Sequence, residues 1–315
     1  PEPSSRSCRS QPAFTPIHFD TTQMNHRFQK LLLGLSLVLF TGLIQAQACD
    51  NPKTIRFSVI PKKNAESQAI QYRPLVMVLK DSLKLPVEFV TAPSYGAVVE
   101  GLLAGSIDLA ELGPASYAQA KARDARITAF ASMVQRIGPF TDSGDSYRSL
   151  LIVRRDRNFN GLASLHGSSI SLIDPASTSG ALIPRYVISK LTGEPFERYF
   201  GRITFAGSHD RAIQTVKKGF VDAAFVSSNR LDEALRNGSV QPDEIKVIWK
   251  STPIPYDPFV YRGQLCTSVI DKIKQAYFQK NAALQDMFRL LNIDGFKPVS
   301  DDQFREIREI YASEP

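Results

Sequence analysis

Apolar positions fall into two alternating rhythms along this chain. Thr54-Ile55-Arg56-Phe57-Ser58-Val59-Ile60 alternates apolar and polar side chains and stops at Pro61, which predicts a strand followed by the loop Pro61-Lys62-Lys63-Asn64. Leu75, Val78, Leu79 and Leu83 recur at helical spacing over residues 74–84, and Val87-Glu88-Phe89-Val90 reads as the next strand. The same alternation continues with strands predicted at 149–153, 170–173 and 245–249 and helices at 186–191, 275–291 and 301–311. Strand-helix-strand succession of this kind specifies an α/β architecture.

The segment Asp174-Pro175-Ala176-Ser177-Thr178-Ser179-Gly180-Ala181-Leu182-Ile183-Pro184 interrupts that rhythm with three adjacent hydroxyl residues between a buried strand and a helix. A helix start presents unpaired N–H groups and a positive dipole end, so Ser177, Thr178 and Ser179 are candidate anion ligands. Pro184 fits this register, because a residue without N–H is tolerated in the first helical turn. Helix capping alone is the plainer reading of the same hydroxyls.

An internal repeat organises the chain. Ser94-Tyr95-Gly96 opens a helix ending near Gly105, followed by Ile107-Asp108-Leu109-Ala110. Ser208-His209-Asp210 opens another ending near Gly219, followed by Val221-Asp222-Ala223-Ala224, at a constant offset of 114. Each copy is a serine cap, a glycine stop and a short buried strand carrying an aspartate. Two copies predict a duplicated α/β lobe. The loops Gly113-Pro114-Ala115-Ser116-Tyr117 and Ser227-Ser228-Asn229 are then equivalent, and with residues 177–179 they converge on one cleft outside the carboxyl ends of the strands. The polar stretch 138–147 and the segment Ser251-Thr252-Pro253-Ile254-Pro255 mark two crossings, dividing the chain into 49–145 and 251–315 for the first lobe and 146–250 for the second. Two crossings predict a hinge with an interlobe ligand cleft.

Composition adds compartment and charge. Arg27 and Lys30 precede the apolar run 31–44, and Ala46-Gln47-Ala48 supplies small residues for cleavage, so residues 24–48 read as a signal peptide. Residues 1–23 show no periodicity and are expected to be an upstream leader outside the native fold. The formal charge of +7 falls to +5 without the residues before Cys49, which suits an anionic ligand; no basic run interleaved with aromatics points to nucleic acid. Cys49 and Cys266 remain after cleavage, either free to pair in an oxidising compartment or, for Cys49, placed to carry a lipid, with lipidation the weaker reading because Gln47 spoils the lipobox.

Phe57-Ser58-Val59-Ile60-Pro61, the 113–117 turn, Asp174 to Gly180, Ser208-His209-Asp210 with Gly219-Phe220-Val221-Asp222-Ala223, and Pro253-Ile254-Pro255-Tyr256-Asp257-Pro258-Phe259 together resemble the phosphate/phosphite/phosphonate-binding proteins of bacterial ABC importers, the PhnD-like family. The resemblance runs from about Pro52 to about Tyr311. It implies a two-lobed type II periplasmic binding protein, a phosphonyl group held by Ser177, Thr178 and Ser179, tyrosines Tyr95 and Tyr117 flanking it, and His209 and Asp210 contributing from the second lobe. Family members specialised for aminoalkylphosphonates hold the ligand amine with acidic residues. No decisive second carboxylate is apparent here, so a small inorganic or simple organic phosphorus oxyanion is at least as well suited.

His209 at a helix start can donate to an oxyanion, which predicts an affinity that titrates near its ordinary pKa of about 6.5. His166 reads as a solvated loop residue, and Asp108 and Asp222 as structural acceptors, since they recur symmetrically. No G-x-S-x-G elbow surrounds Ser177, no metal-ligand spacing occurs in the mature chain, and no P-loop or dinucleotide fingerprint is present. The expectation is a monomeric, non-enzymatic, cofactor-free periplasmic protein that hands a phosphorus oxyanion to an inner-membrane ABC permease. The alternative is an extracytoplasmic sensor for a signalling receptor, a class that usually adds a membrane span and a cytoplasmic domain.

Overall fold

The computed structural model describes residues 49–314; the signal-peptide reading of 24–48 and the leader 1–23 lie outside the described residues. The chain runs β1 (Ile55–Val59), α1 (Ala65–Leu83), β2 (Val87–Val90), α2 (Tyr95–Leu103), β3 (Leu109–Glu111), α3 (Pro114–Arg123) and β4 (Thr128–Gln135). After β5 (Ser146–Tyr147) come β6 (Ser149–Arg154), β7 (Ser169–Leu172), α4 (Ile183–Thr192), α5 (Phe196–Tyr199), β8 (Arg202–Phe205), α6 (His209–Lys217), β9 (Ala223–Ser227), α7 (Ser228–Arg236) and β10 (Ile245–Lys250). β11 (Ile254–Pro255), β12 (Pro258–Tyr261), α8 (Thr267–Phe278), α9 (Gln285–Leu291), β13 (Ile293–Pro298) and α10 (Arg305–Ser313) follow.

Two sheets result, and they share one plan. The first has the order β2-β1-β3-β12-β4 with β13 beyond β4, and the second β8-β7-β9-β6-β10. In each, three parallel strands meet one antiparallel strand: β12 pairs with β3 and β4, and β6 with β9 and β10. The chain changes sheets between Gln135 and Ser149 and again between Lys250 and Pro258. The two passes touch through the short antiparallel pair β5 and β11, Tyr147 opposite Ile254.

The repeat persists as matched hydrogen bonds. Ser94 Oγ accepts the amide of Ala97 and Ser208 Oγ that of Arg211, while Gly105 and Gly219 both sit at φ 72°, a left-handed turn that other residues enter only with strain. Asp108 Oδ2 accepts the Arg56 amide at 2.8 Å, and Asp222 Oδ2 the Ser169 amide at 2.9 Å. Both carboxylates therefore fix the start of a neighbouring parallel strand, a structural task common to both halves.

Three apolar clusters stabilise the assembly. One packs α1 and α8 against the first sheet through Phe57, Leu75, Phe259 and Ile273; one fills the far side of the second sheet through Leu151, Phe196 and Phe225. The third takes residues from both halves, including Ile60, Val98 and Val260 from the first and Leu150, Ile173 and Val226 from the second. Cys49 and Cys266 form a disulfide, which leaves Cys49 no thiol to carry a lipid.

Two helices differ from the periodicity reading. α1 begins nine residues before Pro74, capped by Asn64 Oδ1 accepting from Glu66 and Ser67. Its first turns escape a hydrophobic pattern because their inward face is polar: Gln68, Gln71 and Tyr72 are buried, and Gln68 Nε2 donates to the Ile60 carbonyl at 2.9 Å. Pro74 removes the bond to the carbonyl of Ile70, where the helix is half exposed and water can serve. The helix predicted over 275–291 is broken, with α8 ending at Phe278 and Asn281 capping a short 3₁₀ turn before α9.

Candidate functional site

The site forms where β7 runs out. Asp174 Oδ1 accepts the Ala176 amide at 2.9 Å and its Oδ2 the Tyr95 amide at 3.1 Å, so one carboxylate shapes the turn and ties it to the start of α2 in the first half. Ser177 Oγ accepts the Gly180 amide at 3.1 Å, which is a cap, yet its hydroxyl proton stays available to a second partner. Residues Thr178–Leu182 then make one π-helical turn that feeds into α4. Gly180 is required there, since a Cβ would lie 2.1 Å from Ile173 Cγ1.

Ser177, Thr178 and Ser179 face a small cavity. From the first sheet's half Ile60, Lys62, Tyr95, Gly113 and the returning Tyr256 and Asp257 line it; across from them stand His209, Ser227, Asn229 and Arg230, with Tyr147 from the crossing strand β5. Of the residues singled out in the sequence, Tyr95, Ser177, Thr178, Ser179 and His209 are brought together. Two are not. Tyr117 lies in the first turn of α3, where helical rotation turns it away: its ring packs on Phe304 at 5.4 Å and its hydroxyl donates to Asp301. The amide of Ala115 and the hydroxyl of Ser116, two and one residues earlier, face the 174–178 turn instead. Asp210 sits outside the cavity, holding Arg230 Nη2 at 2.6 Å.

Electrostatics give each group a role. The Tyr95 hydroxyl is buried with no well-formed hydrogen bond, only the Ser177 hydroxyl standing near it, and burial beside Asp257 pushes its pKa well up, so it remains a donor. His209 Nδ1 accepts the Ser227 amide at 3.1 Å, which leaves the proton on Nε2. Burial, then Arg230 and Lys62, hold its pKa well below the ordinary value. The expected titration near 6.5 is therefore corrected: this imidazole is neutral at neutral pH, because the protein removes water from it and places cations nearby. Burial opposes the charge on Arg230, but Glu233 and Asp210 outweigh it and keep the guanidinium charged. Asp257 Oδ2 accepts from Lys62 Nζ at 2.8 Å, while its Oδ1 accepts no hydrogen bond among the described residues. The charges of the cations are thus already matched by carboxylates, and hydroxyls, amides, the imidazole N–H and the unpaired Arg230 Nε supply the unspent donors.

Lys62, Asn229, Arg230, Tyr147, Tyr256 and Asp257 were not among the predicted ligands. Asp257 and Tyr256 lay within the motif 253–259, and Asn229 within a loop expected at the cleft, so position at strand ends was the available signal. Lys62 gave none beyond its place after β1.

Two sheets of one shared strand order, joined by two crossings and facing a polar cavity, define a two-lobed type II periplasmic binding protein. Residues 57–304 match the family described as ABC transporter, phosphonate, periplasmic substrate-binding protein, and the chain belongs to that family. It is 32% identical over 236 residues to the phosphate-import protein PhnD of Mycolicibacterium smegmatis, covering 72% of each chain. It is 29% identical to the phosphonates-binding periplasmic protein of Escherichia coli, covering 86% of this chain and 80% of the relative. A binding protein component of an ABC phosphonate transporter from Pseudomonas aeruginosa superposes with a TM-score of 0.75 at 25% identity, over 82% of this chain and 86% of that one.

Proposed function

We propose that this protein captures a small phosphorus oxyanion in the cavity at Ser177–Ser179 and presents it to an inner-membrane ABC permease. The observation that carries this reading is the buried Tyr95 hydroxyl without a well-formed hydrogen bond, set among donors from the 177–180 turn and the His209 Nε2–H. A buried polar group left unpaired is costly, and an oxyanion supplies the missing acceptor. The π-helical turn adds amides and a positive dipole end to the same place. Asp257 Oδ1 supplies an acceptor for a protonated ligand oxygen, which phosphate and phosphonates carry near neutral pH and sulfate does not.

The names of the relatives, phosphate import in one and phosphonate binding in another, support the ligand class. In this reading the protein works in the periplasm as a binding protein, not as a catalyst, and acts as a monomer. Residues 49–145 and 251–315 move as one lobe against 146–250, with β5 and β11 as the strands that flex. Calorimetric titration with phosphate, phosphite, methylphosphonate and sulfate tests the proposal. Saturable binding of at least one phosphorus oxyanion and none of sulfate is expected; binding of sulfate alone would overturn it.

A further inference from the structure

We infer that Lys62 determines specificity by acting as a resident ammonium: it occupies the carboxylates that would otherwise receive an amine, so the site rejects phosphonates bearing a cationic substituent. The inference rests on the oxyanion reading above. Lys62 follows β1, and its side chain is only 10% exposed. Its Nζ lies 2.8 Å from Asp257 Oδ2 and also donates to Glu111, a fully buried carboxylate that takes the Tyr72 hydroxyl on its other oxygen. The Tyr256 ring stands 5.7 Å from the same ammonium.

The other carboxylates around the cavity are committed too. Asp174 has both oxygens on backbone amides; Asp210 and Glu233 hold Arg230, and Glu233 also takes Lys63. Asp232 keeps one oxygen unpartnered, but in an adjoining cavity whose lining includes Lys62, Lys63, Arg136, Arg230 and Arg236. The one carboxylate oxygen left open at the seat, Asp257 Oδ1, is the acceptor for the ligand's own protonated oxygen, so an entering ammonium would meet Lys62 or Arg230 without a carboxylate of its own, and a second buried cation without its own anion is strongly disfavoured. Removing the Lys62 ammonium reverses this. Asp257 is left lining the cavity without a counter-charge, which a ligand amine can supply, while Glu111, fully buried behind it, is pushed by burial towards its neutral form.

The test compares 2-aminoethylphosphonate with n-propylphosphonate, which has the same chain length without the charge. Dissociation constants are measured by calorimetry for the wild type and for Lys62→Ala, Lys62→Met and Lys62→Arg. The wild type is expected to bind the amine at least tenfold more weakly than the propyl compound. Lys62→Ala and Lys62→Met should move that ratio at least tenfold towards the amine, whereas Lys62→Arg should keep it. A wild type that binds both equally, or prefers the amine, overturns the inference even if no variant folds. So does an unchanged ratio in Lys62→Ala and Lys62→Met while the wild type binds methylphosphonate, an outcome that leaves the oxyanion reading standing. Failure of the wild type to bind any phosphorus oxyanion overturns both.

Discussion

Thr178 Oγ1 accepts the backbone N–H of Ala115 at 2.8 Å, so a hydroxyl in the half built on β7 satisfies an orphan amide at the start of α3 in the other half. The acceptor side of this hydroxyl is occupied, and its proton is left for a ligand oxygen. Nearby, Ser116 Oγ donates to the Ala176 carbonyl at 2.8 Å and the Tyr95 amide donates to Asp174. Contact between the halves and the geometry of the seat are therefore set by the same few groups.

Thr178→Val keeps the shape of the side chain and removes both bonds. Binding of the preferred oxyanion should weaken more than tenfold, the effect of losing one charge-assisted hydrogen bond of about 1.5–3 kcal/mol. Stability should also fall by about 1–3 kcal/mol, because the Ala115 amide loses its acceptor. Calorimetry and denaturant unfolding of the variant check the two effects separately.

Tyr95→Phe should act in opposite directions on the two quantities. The buried hydroxyl makes no well-formed hydrogen bond in the free protein and has only the Ser177 hydroxyl near it, so removing it should leave stability unchanged or raise it by up to about 1 kcal/mol. Affinity should drop more than tenfold. Loss of stability without loss of affinity would show that the hydroxyl has a structural partner and no ligand.

His209 sets a pH dependence of stability. Its folded pKa lies well below the unfolded value of about 6.5, so below that pH the unfolded chain takes up a proton that the folded protein refuses. Stability is fully present above about pH 6.5 and falls as pH drops towards the folded pKa, at a slope approaching 1.4 kcal/mol per pH unit. His209→Gln should remove that component from urea unfolding measured across this range. The pH profile of affinity should follow the ligand's own ionisation, with no inflection near 6.5 contributed by His209.

The Cys49–Cys266 disulfide closes a loop 217 residues long, between the first described residue and the N-cap of α8. Cys266→Ser should lower stability by roughly 2–5 kcal/mol, chiefly by releasing the unfolded chain. Oxyanion affinity should be unchanged, since neither cysteine lines the cavity. Thermal unfolding and calorimetry of this variant test both statements.

What could be read from the chain alone was whatever local chemistry writes down. Ser94 with Ser208, Gly105 with Gly219 and Asp108 with Asp222 were legible because caps, left-handed turns and strand-end acceptors require particular residues at particular offsets. The hydroxyl turn was legible for the same reason. Tyr117 was misplaced because residues 113–117 read as a loop, while Pro114 in fact opens a helix and each further residue rotates the side chain about 100°. The Lys62–Glu111–Asp257 cluster left no trace, since three charges from β3 and two loops meet only through sheet assembly. The same holds for the polar inner face of α1, whose Tyr72 serves Glu111 and not an apolar core alone.

The central claim is that hydroxyls and amides at the 177–180 turn, with Tyr95 and His209, seat a phosphorus oxyanion. Isothermal titration of residues 49–315 with phosphate, phosphite and methylphosphonate, repeated on Ser177→Ala, measures it most directly. The account predicts one saturable site for at least one of these anions and an affinity more than tenfold weaker in the variant. No binding heat with any of the three, or a dissociation constant indifferent to Ser177, would contradict it.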